Sequence, residues 1–160
     1  MKTVICYATK SGTTKECAEM LKKHLPDTVL CNIETDKADL SKYECIVVGG
    51  PIRMGKLHKA AVKFIQTNHA VLMEKNCAFF ICNGFPEQAE TFLVQNIDKE
   101  LLSHSVCAAS FGGKMDLEKL TGMDKFIAKA VGNSLKNDPN AIPKILPEHI
   151  KQFADTLNQA

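Results

Sequence analysis

The 160-residue sequence contains no tryptophan, only two tyrosines and no block of like charge. Its longest apolar runs are far shorter than the roughly 20 residues that a membrane-spanning helix needs. The 20 basic and 18 acidic side chains leave a formal net charge of +2. We therefore expect no transmembrane segment and no nucleic-acid partner. Because the N-terminus also lacks the pattern of a secretory signal, we expect a cytoplasmic protein.

The chain has seven cysteines but no C-x-x-C pair, and five of the seven lie in apolar runs typical of strands. An odd number without paired spacing argues against a disulfide framework or a zinc site. We predict buried, reduced thiols that pack as small apolar side chains. The five histidines show no metal-ligand spacing, so we expect no metal site.

Apolar strand-like segments alternate with amphipathic helical segments along the chain. This alternation is typical of parallel βαβ units, whose right-handed crossovers place helices on both faces of one sheet. No linker or internal repeat is evident, so we predict a single α/β domain over residues 1–160. The predicted strands are 1–8, 28–33, 44–49, 76–83 and 105–111, and the predicted helices are 14–25, 57–72, 88–102 and 147–157.

Open sheets of this kind bind ligands beyond the carboxyl ends of their strands, beside the point where the strand order reverses. The loop after the first predicted strand has the sequence TKSGTT, with four hydroxyl side chains and Gly12. A helix N-terminus offers unpaired N–H groups and a partial positive charge, so these hydroxyls predict a site for one phosphate. The loop matches neither G-x-x-x-x-G-K-[ST] nor G-x-G-x-x-G, which disfavours triphosphates and dinucleotides. The alternative is that Ser11 or Thr13 merely caps the helix.

The TKSGTT loop resembles the flavin-phosphate loop of the flavodoxin family, [ST]-x-[ST]-G-x-[ST] after strand one. The resemblance implies a three-layer fold with a five-stranded parallel sheet in the order 2-1-3-4-5 and helices on both faces. It also implies FMN, held noncovalently by this loop and by the loops after strands three and four. The residues implied to bind FMN are Thr9, Lys10, Ser11, Gly12, Thr13, Thr14, Pro51, Ile52, Arg53, Met54, Gly55, Asn83, Gly84 and Phe85.

The Met54-Gly55 pair is similar to one found in short-chain flavodoxins. There the peptide at the glycine turns its carbonyl toward flavin N5 when the ring is reduced. Glycine permits this turn because it has no Cβ penalty at positive φ.

The sequence differs from the electron carriers of that family in charge and aromatic content. Carriers are strongly acidic and commonly stack aromatic side chains on the ring, whereas this chain has a pI near 8.1. Its tyrosines, Tyr7 and Tyr43, are poorly placed for stacking, and Phe85 is the better candidate. Arg53 and Lys56 would stabilise an anionic reduced flavin by Coulomb attraction, which favours two-electron chemistry.

A second resemblance is to the flavodoxin-like, menaquinone-dependent protoporphyrinogen dehydrogenases. Their G-x-x-I-R-x-G-x-x-H segment is matched at Gly49, Ile52, Arg53, Gly55 and His58. The resemblance implies electron transfer from a porphyrinogen to a quinone. Arg53, Lys56 or Lys114 could bind the propionates, and the alternative is that these cations are solvated at the rim or bind flavin oxygens. We keep this activity as the alternative to a general FMN-dependent redox role with a protein or small-molecule partner. A non-catalytic binding protein is a third reading, and His58 is either a proton donor or a residue of a helix first turn.

An apolar stripe at helical spacing follows the fifth predicted strand, in a segment that also resembles the dehydrogenase group. The stripe could contact a membrane surface or a partner, but packing on the domain itself is favoured, since its other faces carry few basic residues. The oligomeric state stays open. The stripe consists of Met123, Phe126, Ile127, Ala130 and Val131.

Overall fold

The computed structural model describes residues 1–114 and 143–160. Five parallel strands form one sheet in the order β2-β1-β3-β5-β6, and a short strand β4 pairs antiparallel with β3. With β4 set aside, this is the predicted order 2-1-3-4-5. The strands are β1 (Thr3–Tyr7), β2 (Thr28–Asn32), β3 (Cys45–Arg53), β4 (Lys56–Leu57), β5 (Asn76–Cys82) and β6 (Cys107–Ser110).

Helices cover both faces of the sheet, as the alternation of segments predicts. Within the described ranges they are α1 (Thr13–Lys22), α2 (Lys59–Thr67), α3 (His69–Glu74), α4 (Ala89–Asn96), α5 (Lys99–His104) and α6 (Pro147–Gln159). Short 3₁₀ turns occupy Leu40–Lys42 and Pro86–Gln88.

Strand β1 shows how one sheet builds two cores. Its side chains alternate, so Val4 and Cys6 pack with apolar residues of α2, α3, α4 and α5, whereas Ile5 and Tyr7 pack with those of α1 and α6. All five residues of β1 are buried. A strand buried on both faces must be apolar throughout, which is why the continuous apolar run identified it.

Two predicted helices are each broken into two. Residues 57–72 were expected to form one helix, but Asn68 separates α2 from α3 and donates from Nδ2 to the Phe64 carbonyl at 2.8 Å. Residues 88–102 are broken before Asp98, whose carboxylate accepts from the N–H groups of Glu100 and Leu101 at 3.0 and 3.2 Å. Both breaks occur at side chains that compete for backbone groups, a competition that apolar periodicity does not show.

Strand three was predicted to end at Gly49, but β3 continues to Arg53. Glycine and proline are depleted in strands, so the GGP sequence was expected to end it. Instead Gly50 and Pro51 remain in register with Ile81 and Cys82 of β5, while pairing with β1 ends at Gly49. The expected ring-flanking loop is therefore largely a β-hairpin.

The predicted burial of the thiols is confirmed for six of the seven cysteines, and Cys107 is half-buried. None of the helices in the two described ranges is long and apolar enough to cross a membrane. The apolar stripe at 123–131 lies outside the described residues.

Candidate functional site

The loops after β1, β3, β5 and β6 meet at the carboxyl edge of the sheet. The Ala8 N–H donates to the Gly49 carbonyl at 3.0 Å, which joins the first loop to β3. The Asn83 N–H donates to the Gly112 carbonyl at 2.9 Å, which joins the loops after β5 and β6. All fourteen predicted site residues lie on this edge. That they bind a cofactor stays a prediction.

The loop after β1 turns into α1 through Gly12. Its φ of 93° lies in the left-handed region, where glycine alone adopts the conformation without strain. The Gly12 N–H donates to Thr9 Oγ1 at 3.0 Å, and Ser11 and Thr13 share a hydroxyl contact of 3.4 Å. A Cβ placed on Gly12 would find no atom within 4 Å, so the turn faces open space.

Thr14 provides an unsatisfied hydroxyl at the base of this turn. The residue is 1% exposed, and its Oγ1 has no hydrogen-bond partner among the described residues. A hydrogen bond with Cys17 and burial raise the pKa of the nearby Cys82 thiol, and the Thr14 hydroxyl opposes that rise. Because sulfur is a weak hydrogen-bonding group, this contact does not replace a proper partner. A buried polar atom left in this way is rare in folded proteins.

An ion pair crosses the first turn of α1. Lys114, in the loop after β6, donates from Nζ to both carboxylate oxygens of Glu16 at 2.9 and 2.7 Å. An acidic side chain near a helix N-terminus interacts favourably with the helix dipole but repels any anion bound there. The positive charge of Lys114 offsets this repulsion. Because its ammonium group is bonded to Glu16, it is not available to bind a substrate.

The hairpin formed by β3 and β4 has Met54 and Gly55 as its two-residue loop, between the paired residues Arg53 and Lys56. Both loop residues have positive φ, 52° for Met54 and 75° for Gly55. Two consecutive positive φ values are the requirement of a type I′ hairpin turn. Arg53 and Lys56 are therefore cross-strand partners at the base of the hairpin.

Asn96, the last residue of α4, makes hydrogen bonds to the tip of the hairpin. Asn96 Nδ2 donates to the Gly55 carbonyl and to the Phe92 carbonyl, each at 2.8 Å. Its Oδ1 accepts from the Leu57 N–H at 2.9 Å. Sequence reasoning missed this residue because it lies 41 positions from Gly55 and belongs to no motif.

The loop after β5 is organised by the side chain of Asn83, which is buried. Its Nδ2 donates to the Phe85 carbonyl at 2.6 Å, and its Oδ1 accepts from Ser110 Oγ at 2.5 Å. The Ser110 hydroxyl in turn accepts from the Gly112 N–H at 3.1 Å. Asn83 is thus a structural residue of the loop that carries Gly84 and Phe85, and Ser110 is a partner that no sequence motif indicated.

Two large apolar side chains are exposed on this edge: Met54 at 57% and Phe85 at 36%. They belong to the two loops predicted to flank the ring. Exposed apolar groups on neighbouring loops are a feature of ligand sites. Pro51 and Ile52 are half-buried in β3 rather than in a loop.

His58 lies at the start of α2 and caps it. Its Nδ1 accepts from the Ala60 N–H at 3.2 Å, and its Nε2 lies 3.7 Å from Glu34 Oε1. With Nδ1 occupied as an acceptor, the neutral ring carries its proton on Nε2, next to the carboxylate. This geometry favours the structural reading of His58 as a helix first-turn residue over that of a proton donor.

The fold and this edge define a class: a doubly wound α/β domain with an open, hydroxyl-rich turn at its first helix and, beside it, two loops with exposed apolar side chains. The family model described as "Flavodoxin domain" matches residues 4–141. The chain belongs to that family. The match confirms the predicted family and supports the prediction of an FMN-binding redox protein.

Curated relatives and solved structures agree with this assignment. The chain is 30% identical over 91 residues to "Protoporphyrinogen IX dehydrogenase [quinone]" of Escherichia coli K12, an alignment that covers 52% of this chain and 49% of that protein. The matched segment thus spans about half the length of that relative. Flavodoxin 2 of Bacillus cereus superposes with a TM-score of 0.61 at 20% identity over 99% of both chains. The Fusobacterium nucleatum flavodoxin bound to flavin mononucleotide gives 0.54 at 16% identity, over 99% of this chain and 98% of that one.

Proposed function

We propose that the chain binds FMN at the carboxyl edge of its sheet and transfers electrons or hydride equivalents between redox partners. The observation that carries this proposal is the turn after β1. A buried hydroxyl without a partner, a glycine at φ 93° and open space above it occur together at a helix N-terminus. A phosphate group supplies the acceptor oxygens that such a turn requires.

The phosphate would be held by the residues from Thr9 to Thr14. The first N–H groups of α1 have no partner within the helix, and the hydroxyls of Ser11, Thr13 and Thr14 add further donors. Lys10 is exposed beside them and adds positive charge. These donors fit a monophosphate, because no lysine follows the glycine as in triphosphate loops.

The ring would lie between the hairpin and the loop after β5. Met54 and Phe85 offer exposed apolar surface, and the cross-strand pair of Arg53 and Lys56 places positive charge beside it. FMN, when bound, supplies one- or two-electron redox chemistry. The protein's part is to bind it, shield it from water and favour a negatively charged reduced ring through the two cations.

A porphyrinogen-oxidising activity is the second candidate, favoured by the partial match to a quinone-linked protoporphyrinogen dehydrogenase. The match covers about half of each chain, so we propose this activity for the present chain rather than infer it from the match alone. Lys56 is exposed and suits a propionate, whereas Lys114 is paired with Glu16. We place the protein in the cytoplasm, with a redox protein or a small-molecule electron donor or acceptor as its partner.

The Thr14→Val variant tests the phosphate site. We expect about 10-fold to 100-fold weaker FMN binding, the cost of losing one charge-assisted hydrogen bond. Riboflavin, which lacks the phosphate, should bind both proteins equally. The free energy of unfolding should rise or stay level, since valine removes a buried hydroxyl whose described contact, with the Cys82 thiol, is a weak one. Titration by flavin fluorescence and urea unfolding measure the two effects.

Thr28→Val is the matched control, because Thr28 is a buried threonine at the opposite edge of the sheet whose hydroxyl donates to the Pro26 carbonyl at 3.3 Å. It should lose some stability and keep its FMN affinity. A wild-type protein that takes up no FMN, or a Thr14→Val protein that binds FMN like wild type, contradicts the proposed site.

Stepwise photoreduction of the FMN complex separates the candidate activities. An electron carrier should be reduced in two resolved one-electron steps, whereas a dehydrogenase should be reduced in one two-electron step and turn over a porphyrinogen with a quinone. Uptake of FMN with neither behaviour would support the non-catalytic reading.

A further inference from the structure

The amide of Asn96 makes more contacts than a helix end requires. Polar side chains in a last helical turn often bond the carbonyl four residues back, and the bond of Asn96 to the Phe92 carbonyl is of this kind. The other two bonds leave the helix and hold both sides of the hairpin tip, at the Gly55 carbonyl and the Leu57 N–H. One amide therefore joins the end of α4 to the turn that precedes it by about 40 residues.

These three bonds fix the amide in one orientation. Exchanging its oxygen and nitrogen would set Nδ2 against the Leu57 N–H and Oδ1 against two carbonyls, and all three bonds would be lost. The Gly55 carbonyl is thereby directed toward α4. The Cα of Gly55 faces mostly open space, because a Cβ built on it would meet one atom only, of the Phe92 ring, at 3.9 Å. The amide of Asn96 is thus the described contact that holds the carbonyl.

We propose that Asn96 is a positioning residue that sets the direction of the Gly55 carbonyl, and through it the relative affinity for reduced and oxidised cofactor. The proposal rests on the proposed function, which places the hairpin tip along the flavin ring. N5 of an oxidised flavin accepts a hydrogen bond, and N5 of a reduced flavin carries a hydrogen that it donates. While the Gly55 carbonyl is bonded to Asn96, it does not oppose the acceptor N5 of the oxidised ring. Once released, it can accept the hydrogen of the reduced N5.

Release of the carbonyl costs its bond to Asn96, so this bond biases the site toward the oxidised cofactor. Asn96→Leu removes the bias with a side chain of similar size and no charge. We expect the ratio of the dissociation constants for oxidised and reduced FMN to rise about 5-fold to 10-fold, the worth of one ordinary hydrogen bond. Asn96→Ser, which is too short to reach the hairpin, provides a second variant should the leucine disturb folding.

Asn68→Leu is the matched control. Asn68 also ends a helix and also donates to the carbonyl four residues back, that of Phe64, at 2.8 Å, but its described side-chain hydrogen bond does not involve the hairpin. A general effect of removing a helix-end asparagine would appear in both variants. An effect on the cofactor ratio through the hairpin should appear only at Asn96.

Amide hydrogen exchange of the FMN-free protein provides a readout independent of the cofactor. The Leu57 N–H should exchange at least about 10-fold faster in Asn96→Leu than in wild type, and at the wild-type rate in Asn68→Leu. The affinity ratio is then obtained by titrating FMN under oxidising conditions and under dithionite.

The bonds of Asn96 to the Gly55 carbonyl and the Leu57 N–H, here called the clamp, and their effect on the cofactor can be tested separately. Unchanged Leu57 exchange in Asn96→Leu overturns the clamp itself. Faster exchange with an unchanged affinity ratio, or the same change of ratio in Asn68→Leu, shows a structural role alone and overturns the positioning role. Absence of FMN binding in wild type, with the exchange result as expected, removes the proposed function while leaving the clamp established.

Discussion

The loop after β1 and the hairpin of β3 and β4 lie on the same edge of the sheet but differ in whether their polar groups have hydrogen-bond partners. In the loop, the Thr14 hydroxyl is buried without a partner and Gly12 faces open space. At the hairpin tip, the Gly55 carbonyl and the Leu57 N–H are both bonded to Asn96. In the loop, a polar group lacks a hydrogen-bond partner that a ligand can supply. At the hairpin tip, both polar groups already have hydrogen-bond partners within the protein.

This difference separates two tasks of one site. A fixed anion is best held by donors that are already in place and poorly satisfied otherwise, because binding then costs little reorganisation. A ring whose hydrogen-bonding pattern changes on reduction is better served by a backbone group with two alternative partners. In the proposed site, the loop thus suits affinity for FMN, and the hairpin suits control of its redox state.

Among the variants of the two regions, Gly12→Val should have the largest effect on FMN binding. A β-branched side chain at φ 93° costs about 1–2 kcal/mol of stability and turns the loop N–H groups away from their present direction. We expect FMN affinity to fall at least about 100-fold, the loss of about two charge-assisted hydrogen bonds. Riboflavin affinity should change little. A similar loss for both ligands would show that the variant disturbs the ring site rather than an anion site.

The corresponding change in the hairpin, Gly55→Ala, should have a smaller effect on binding. Its φ of 75° makes alanine cost about 1 kcal/mol of stability, and the 3.9 Å contact with the Phe92 ring adds no clash. We expect FMN and riboflavin affinities to fall together, by about 5-fold or less, since the hairpin makes no bond to the phosphate. Urea unfolding and parallel titrations measure the effects. A selective loss of FMN affinity would contradict the division of tasks.

The sequence predicted the sheet better than the helices. A strand buried on both faces must be apolar throughout, so runs such as NCAFFICN could be located without knowledge of the fold. The helix breaks at Asn68 and Asp98 depend on side chains that compete for backbone groups, and apolar periodicity continues through both.

The candidate site was predictable where its chemistry is local. TKSGTT is contiguous, so hydroxyls, glycine and helix start could be recognised together. Asn96, Ser110 and the pair of Glu16 with Lys114 depend on contacts between distant positions, up to 98 residues apart in the ion pair. A single sequence carries no signal for such contacts. The continuation of β3 through Pro51 was missed for a related reason, since it depends on pairing with β5.

The smallest test concerns the ion pair at the first turn of α1. Glu16→Gln removes a negative charge beside the proposed phosphate site, and we expect FMN to bind about 2-fold to 5-fold more tightly at low ionic strength. Lys114→Gln leaves the Glu16 carboxylate uncompensated, so FMN should bind more weakly by a similar factor. Both side chains are about half exposed, at 45% and 56%, which is why the effects are modest.

Salt and the uncharged ligand distinguish this electrostatic effect from a change of shape. Both differences should shrink as salt rises toward 1 M, where the screening length falls to about 3 Å, and neither variant should change riboflavin binding. The double variant should return close to wild-type affinity, because it removes the repulsive charge and its compensating partner together. Equal effects on riboflavin and FMN would mean that the ion pair acts by holding the loop after β6 against α1. This result would contradict an anion site in the loop after β1.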